Sequence, residues 1–179
     1  RGEPEHYRAY FMGILRLLAR ATLPVSVMLF VLAPEVVLLL LGSDWAPTAV
    51  LLQILAPAAA FQPIGNAAGW QLSSTGRADQ LLRWSFIAAP VVVAGFLIGL
   101  PWGAQGVAAS YVISTALLFP LQLRHFCAGS PVSPFDVVRA SAPGLIASLV
   151  LLGLLLPVVG AIRGANAWIT LGVASALGL

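Results

Sequence analysis

The sequence predicts an all-α, polytopic transmembrane helix bundle, with about five full spans and the start of a sixth. Three observations predict it. The chain is 60% hydrophobic and only 8% charged, whereas a soluble domain carries roughly 25% charged residues. A globule of 179 residues could not cover its surface with so few polar groups. Apolar runs near the ~20 residues that cross a ~30 Å hydrocarbon core recur along the chain. Finally, eight of the nine basic residues, all arginine, fall before the first segment or in alternate connections, the asymmetry that sets membrane topology.

The first segment begins amphipathic. Arg8, Arg16 and Arg20 repeat at multiples of four and share one helical face. Beyond them the run to Leu41 is apolar apart from residues such as Ser26 and Glu35. That reach exceeds one span, so a span near 12–33 is expected, with a break at Pro34 and residues 35–41 at the interface. A strict hydropathy window would choose 21–41 instead, and the choice decides whether Arg16 and Arg20 lie in the membrane.

The second segment runs from about Thr48 to Gln71, the third from Leu81 to Leu100, the fourth from Gly106 to about Leu123, and the fifth from Arg139 to Val159. Each has interior prolines except the fourth, whose Pro120 lies near its end. Membrane helices tolerate such prolines when neighbours satisfy the freed carbonyls. A sixth segment is expected from Ala167. Its thirteen residues to Leu179 would make a helix of about 20 Å, so a truncated span is expected.

Between segments two and three lies a polar island, GWQLSSTGRADQLLR, Gly69–Arg83. Ser73, Ser74, Thr75 and Gly76 supply turn chemistry, and Asp79 suits a cap of the third helix or an i,i+4 pair with Arg83. Assigning arginines to sides puts Arg1, Arg8, Arg16, Arg20, Arg77, Arg83, Arg124 and Arg139 on one side and only Arg163 on the other. The N-terminal end is therefore expected in the cytoplasm. Trp45, Trp102 and Trp168 then fall at the outer boundary, and Trp70 and Trp84 at the inner one.

Arg16 and Arg20 suit a diphosphate in a water-filled cavity, or alternatively serve as anchors to anionic membrane lipids. Gln62, Asn66, Gly69 and Ser73 form one polar stripe on segment two, suited to sugars or to hydrogen bonds between helices. Glu35 offers a proton or cation site for coupled transport, or simply an interfacial carboxylate at a helix break. Gly106 and Ser110 form a small-xxx-small pair of the kind that lets helices pack closely. His6 and His125 are isolated, Cys127 stands alone, and no metal spacing, phosphate loop or catalytic constellation occurs. Neither an enzyme nor a cofactor is expected, and no aromatic-basic platform points to nucleic acid.

Several short runs occur in a familiar order: Tyr7–Tyr10 (YRAY), Leu23-Pro24, Leu32–Glu35 (LAPE), Leu41–Trp45 (LGSDW), Leu52–Ala56 (LQILA), Gly69–Arg77 with Asp79 and Arg83-Trp84, then Gly99–Gly103 (GLPWG) and Gly106–Ala108. This series resembles the C-terminal part of Wzx-type polysaccharide flippases, the lipopolysaccharide biosynthesis proteins of the multidrug/oligosaccharidyl-lipid/polysaccharide exporter superfamily. It covers residues 5–125 by motif and the remainder by hydropathy.

The resemblance implies the second lobe of a two-lobe, multi-pass transporter of the bacterial inner membrane. Residues 1–128 would be lobe helices and 129–179 a final, truncated pair. It implies alternating access to a polyprenyl-diphosphate-linked oligosaccharide, with polysaccharide polymerase machinery as a partner. A cation-coupled drug exporter of the same superfamily and a non-transporting scaffold are the rival readings.

Overall fold

The computed structural model describes residues 4–74, 76–128 and 132–176, and every element among them is helical. The chain forms α1 (Pro4–Val31), α2 (Ala33–Leu41), α3 (Ala46–Leu55), α4 (Ala58–Ser74), α5 (Ala78–Gly99), α6 (Gly103–Cys127) and α7 (Pro134–Ala176). Three stretches are long and apolar enough to cross a membrane: Arg8–Val31, Ala78–Cys127 and Pro134–Gly164. The second is folded in half at a 3-10 turn, Leu100–Trp102, followed by Gly103 at φ +66°. The protein is a multi-pass membrane-helix bundle.

Proline decides where the first segments break. Pro34 has no N–H to donate to the carbonyl of Phe30, and α1 gives way to α2 at Leu32. Gln53 Nε2 takes over, donating to Phe30 O at 3.2 Å, and Arg163 donates to Val31 O at 3.0 Å. The break itself was expected at Pro34. It excludes a straight span over 21–41 and leaves Arg16 before, and Arg20 at, the middle of the membrane-length stretch Arg8–Val31.

Segment two, expected as one helix, is two, because Pro57 ends α3. The buried Ser26 hydroxyl donates to the carbonyl of Ala56 at that turn. Pro63, by contrast, is carried inside α4.

The elbow after α4 closes as a Schellman motif. Gly76, at φ +73°, donates to Ser73 O at 3.3 Å, and Arg77 N donates to Leu72 O at 2.9 Å. No side chain caps α5, so Asp79 does not serve as its cap. At the start of α7 the run Ser133-Pro-Phe-Asp136 forms a reciprocal box. Ser133 N donates to Asp136 Oδ2 at 3.1 Å, and Asp136 N donates to Ser133 Oγ at 3.2 Å.

The last connection differs from expectation. The backbone stays helical from Pro134 through Ala176, so no loop surrounds Arg163 and no separate helix starts at Ala167. Gly160 and Gly164 weaken a helix without ending it, and no proline follows Pro157 to force a stop. A helix of 43 residues is about 65 Å long and exceeds the hydrocarbon core.

Contacts between helices set the topology. α5 and α6 form an antiparallel hairpin in which a Cβ on Gly99 would lie 2.5 Å from Gly106 O, as the small-residue spacing predicts. α1 and α7 run parallel, joined by Arg8–Asp136 at one end, Gly144 against Ala19 midway and Glu35–Arg163 at the other. α4 packs on α6 through Phe61 and Phe119, whose ring centroids are 5.0 Å apart.

Two buried clusters, Phe11-Leu15-Leu123-Val132-Val137-Ala140 and Leu72-Trp84-Leu118-Phe126, lie toward the end that holds the α4–α5 elbow. Trp84 therefore packs in the core, 8% exposed and edge-on to Phe126, and does not present its ring outward as an interfacial anchor would. Trp70 is 71% exposed, as a boundary residue should be. The side chain of Trp168 lies outside the described residues.

Candidate functional site

Two of the clefts along α1 lie on different sides of it and carry the polar side chains of interest. The first, about 430 Å³, lies between α1 and α4. Its walls are mostly apolar, with Leu18, Val25 and Leu29 from α1 facing Ala59, Pro63 and Trp70 from α4. Thr22, Ser26, Gln62 and Asn66 add the polar groups. Two of these are committed elsewhere: Thr22 Oγ1 donates to Leu18 O at 2.8 Å, and Ser26 donates to Ala56 O. Gln62 Nε2 donates to Tyr111 Oη at 2.8 Å, which ties α4 to α6. The amides of Gln62 and Asn66 thus share one cavity, and Gln62 also makes the interhelical bond considered above. Ser73, at the foot of the expected stripe, turns to its own helix and donates to Gly69 O at 3.2 Å.

The second cleft, about 570 Å³, lies between α1 and the start of α7 and is lined by Arg8, Ala9, Met12, Arg16, Asp136, Arg139 and Ala140. Arg8 donates to Asp136 Oδ1 at 2.7 Å. Arg16 therefore faces Arg139 and Arg8, and not Gln62 and Asn66. Arg20 is exposed and lines neither cleft. Each four-residue step turns the stripe by about 40° around the helix, enough to carry Arg20 off the α7 side.

Glu35 lies at the opposite end, far from both clefts. Arg163 grips it bidentately, Nε to Oε1 and Nη2 to Oε2, each at 2.9 Å. These hydrogen bonds hold its carboxyl below the ordinary carboxylate range, more than burial raises it. Among the described residues, no group of three or more His, Cys, Asp or Glu side chains is arranged to hold a metal.

Tyr111 and Arg139 were not singled out as site residues by the sequence. Tyr111 gives no local signal, since its partner is 49 positions away. Arg139 did carry one, because it was counted among the charges on the Arg8 side.

Residues 1–50 match a family model described as "Polysaccharide biosynthesis protein". This is 50 of 179 residues, covering α1, α2 and the beginning of α3. It includes Arg16, Arg20 and Glu35, and stops short of Gln62 and Asn66. Comparisons with curated proteins and with solved structures give no match.

Proposed function

We propose that this chain helps turn over a polyprenyl-diphosphate-linked oligosaccharide from the cytoplasmic to the outer leaflet of a bacterial inner membrane, by alternating access, for exopolysaccharide or lipopolysaccharide synthesis. One observation carries the reading: amides and arginines line clefts of a bundle built from membrane-length helices. Moving a diphosphate and several sugars through hydrocarbon costs several kcal/mol for each unsatisfied polar group. Polar clefts lower that barrier while the lipid tail stays in the bilayer. The family match over α1 and α2 supports the substrate class.

In this reading Gln62 and Asn66 contact sugars. Arg16 meets the diphosphate at the cytoplasmic mouth, and Arg20 draws it in from the surface. Residues 1–128 would belong to the transporter's second lobe and 129–179, which hold the single helix α7, to its closing part, with a polymerase taking the product outside. Glu35 is the proposed coupling site, where a proton would compete with Arg163 for the carboxylate.

The test is deletion of the gene in its host, followed by extraction of lipids. Accumulation of polyprenyl-diphosphate oligosaccharides with loss of surface polysaccharide is expected, reversed by the intact gene and poorly by the Gln62→Leu/Asn66→Leu variant. Normal lipids and polysaccharide would overturn the reading.

A further inference from the structure

The α1–α7 cleft holds three cations against one anion, and that anion is already engaged. Asp136 Oδ1 accepts from Arg8, and Oδ2 accepts the N–H of Ser133 at the start of α7. Arg16 and Arg139 line the same cleft from different helices, and among the described residues neither has an acidic partner. Helical side chains lean toward the N-terminal end of their helix. Because α1 and α7 run parallel, Arg16 and Arg139 lean toward the same end of the bundle. Long stems let both guanidiniums reach the head-group level while their methylenes stay against apolar surface.

We propose that this cleft is a phosphate-binding site for a lipid head group, separate from the α1–α4 cavity, in which Arg16 and Arg139 hold one phosphate between two helices. Guanidinium binds phosphate oxygens through charge-assisted, often bidentate hydrogen bonds, so two arginines from opposite walls define a site for a phosphoryl group. Arg8, held by Asp136, forms its rim. The inference deepens the flippase reading and rests on it only for which lipid brings the phosphate. Binding itself is measured without transport.

The experiment uses the full chain in nanodiscs of phosphatidylcholine, with two probes: increasing phosphatidylglycerol in the disc, and free inorganic pyrophosphate. Retained lipid is counted by native mass spectrometry, and hydrogen exchange follows the first turns of α1 and α7. Wild type and Arg83→Ala, a change at an exposed arginine that lines neither cleft, should bind alike. Arg16→Ala/Arg139→Ala should bind roughly tenfold more weakly, the loss of at least one charge-assisted contact. Arg16→Gln/Arg139→Gln, which removes the charge but keeps a polar side chain that suits a helix, should do the same and serves if the alanine variant does not fold.

Retention of phosphatidylglycerol without a response to pyrophosphate identifies a membrane phospholipid as the source. Protection by pyrophosphate identifies a diphosphate. Equal binding by wild type and the glutamine variant, or no preference of the wild type for either probe, overturns the site. Phosphate binding together with normal lipids in the deletion strain would sink the flippase reading alone.

Discussion

Glu35 and Arg163 are 128 positions apart and meet through two bonds of 2.9 Å. Both side chains are about half exposed, so the pair contributes only about 0.2–1 kcal/mol. Its pH dependence has a definite sign. The folded carboxyl titrates below its unfolded value, so the contribution is complete above the unfolded pKa and is lost as pH falls through the folded one. Thermal unfolding of wild type and Glu35→Gln in micelles should therefore differ near neutral pH and converge under strongly acid conditions. A difference that grew with acidification would contradict the pairing. If Glu35 couples transport, the same variant should lose export while keeping nearly all its stability; unchanged export would remove Glu35 from the mechanism.

Elements in this bundle break at Pro34 and Pro57 and pack closely at glycine, and the two effects differ in size. Gln53 satisfies the carbonyl that Pro34 strands on Phe30, yet polar contacts between membrane helices average only about 0.6 kcal/mol. Gly106 instead sits where a Cβ would collide with the Gly99 carbonyl and with Trp102. Overpacking of this kind costs about 1–3 kcal/mol. Gly106→Ala should thus lower the denaturation midpoint more than Gln53→Leu does. The opposite order would mean that the proline break carries more of the stability than the α5–α6 seam.

Much of this was legible in the sequence. The break near Pro34 follows from a missing N–H, and the glycine-serine spacing of α6 marks close packing. The split at Pro57 was not legible, because Pro63 in the same segment stays inside its helix. Where a break falls depends on packing partners such as Gln53, which meets Phe30 O, and Ser26, which meets Ala56 O, and those partners come from other parts of the chain.

At the scale of the whole molecule, Arg8 and the elbow of Gly76 and Arg77 share one end with the α6–α7 connection. Arg77 reaches across to donate to Ala128 O at 2.6 Å. The turns at Ser43–Trp45 and Leu100–Trp102 lie at the other end. This arrangement predicts sidedness. With Cys127 replaced by Ser, a cysteine at Ser133 should react with a membrane-impermeant thiol reagent only in inverted vesicles, and one at Ser43 only in intact cells. Labelling of both from the same face would refute the topology.

The sequence by itself determined the solvent, the helical class and the distribution of charge between two ends, because hydrophobic run length and arginine placement are local quantities. It also placed Gln62 and Asn66 on one face of one helix, where the structure keeps them together. Only the tertiary structure decided that Arg16 belongs with Arg139, that Arg20 stands apart and that Glu35 is gripped by Arg163. It also decided that α7 continues past residue 163. Each of these depends on which helix lies beside which, and parallel packing of α1 on α7 joins residues about 125 positions apart that no local spacing connects.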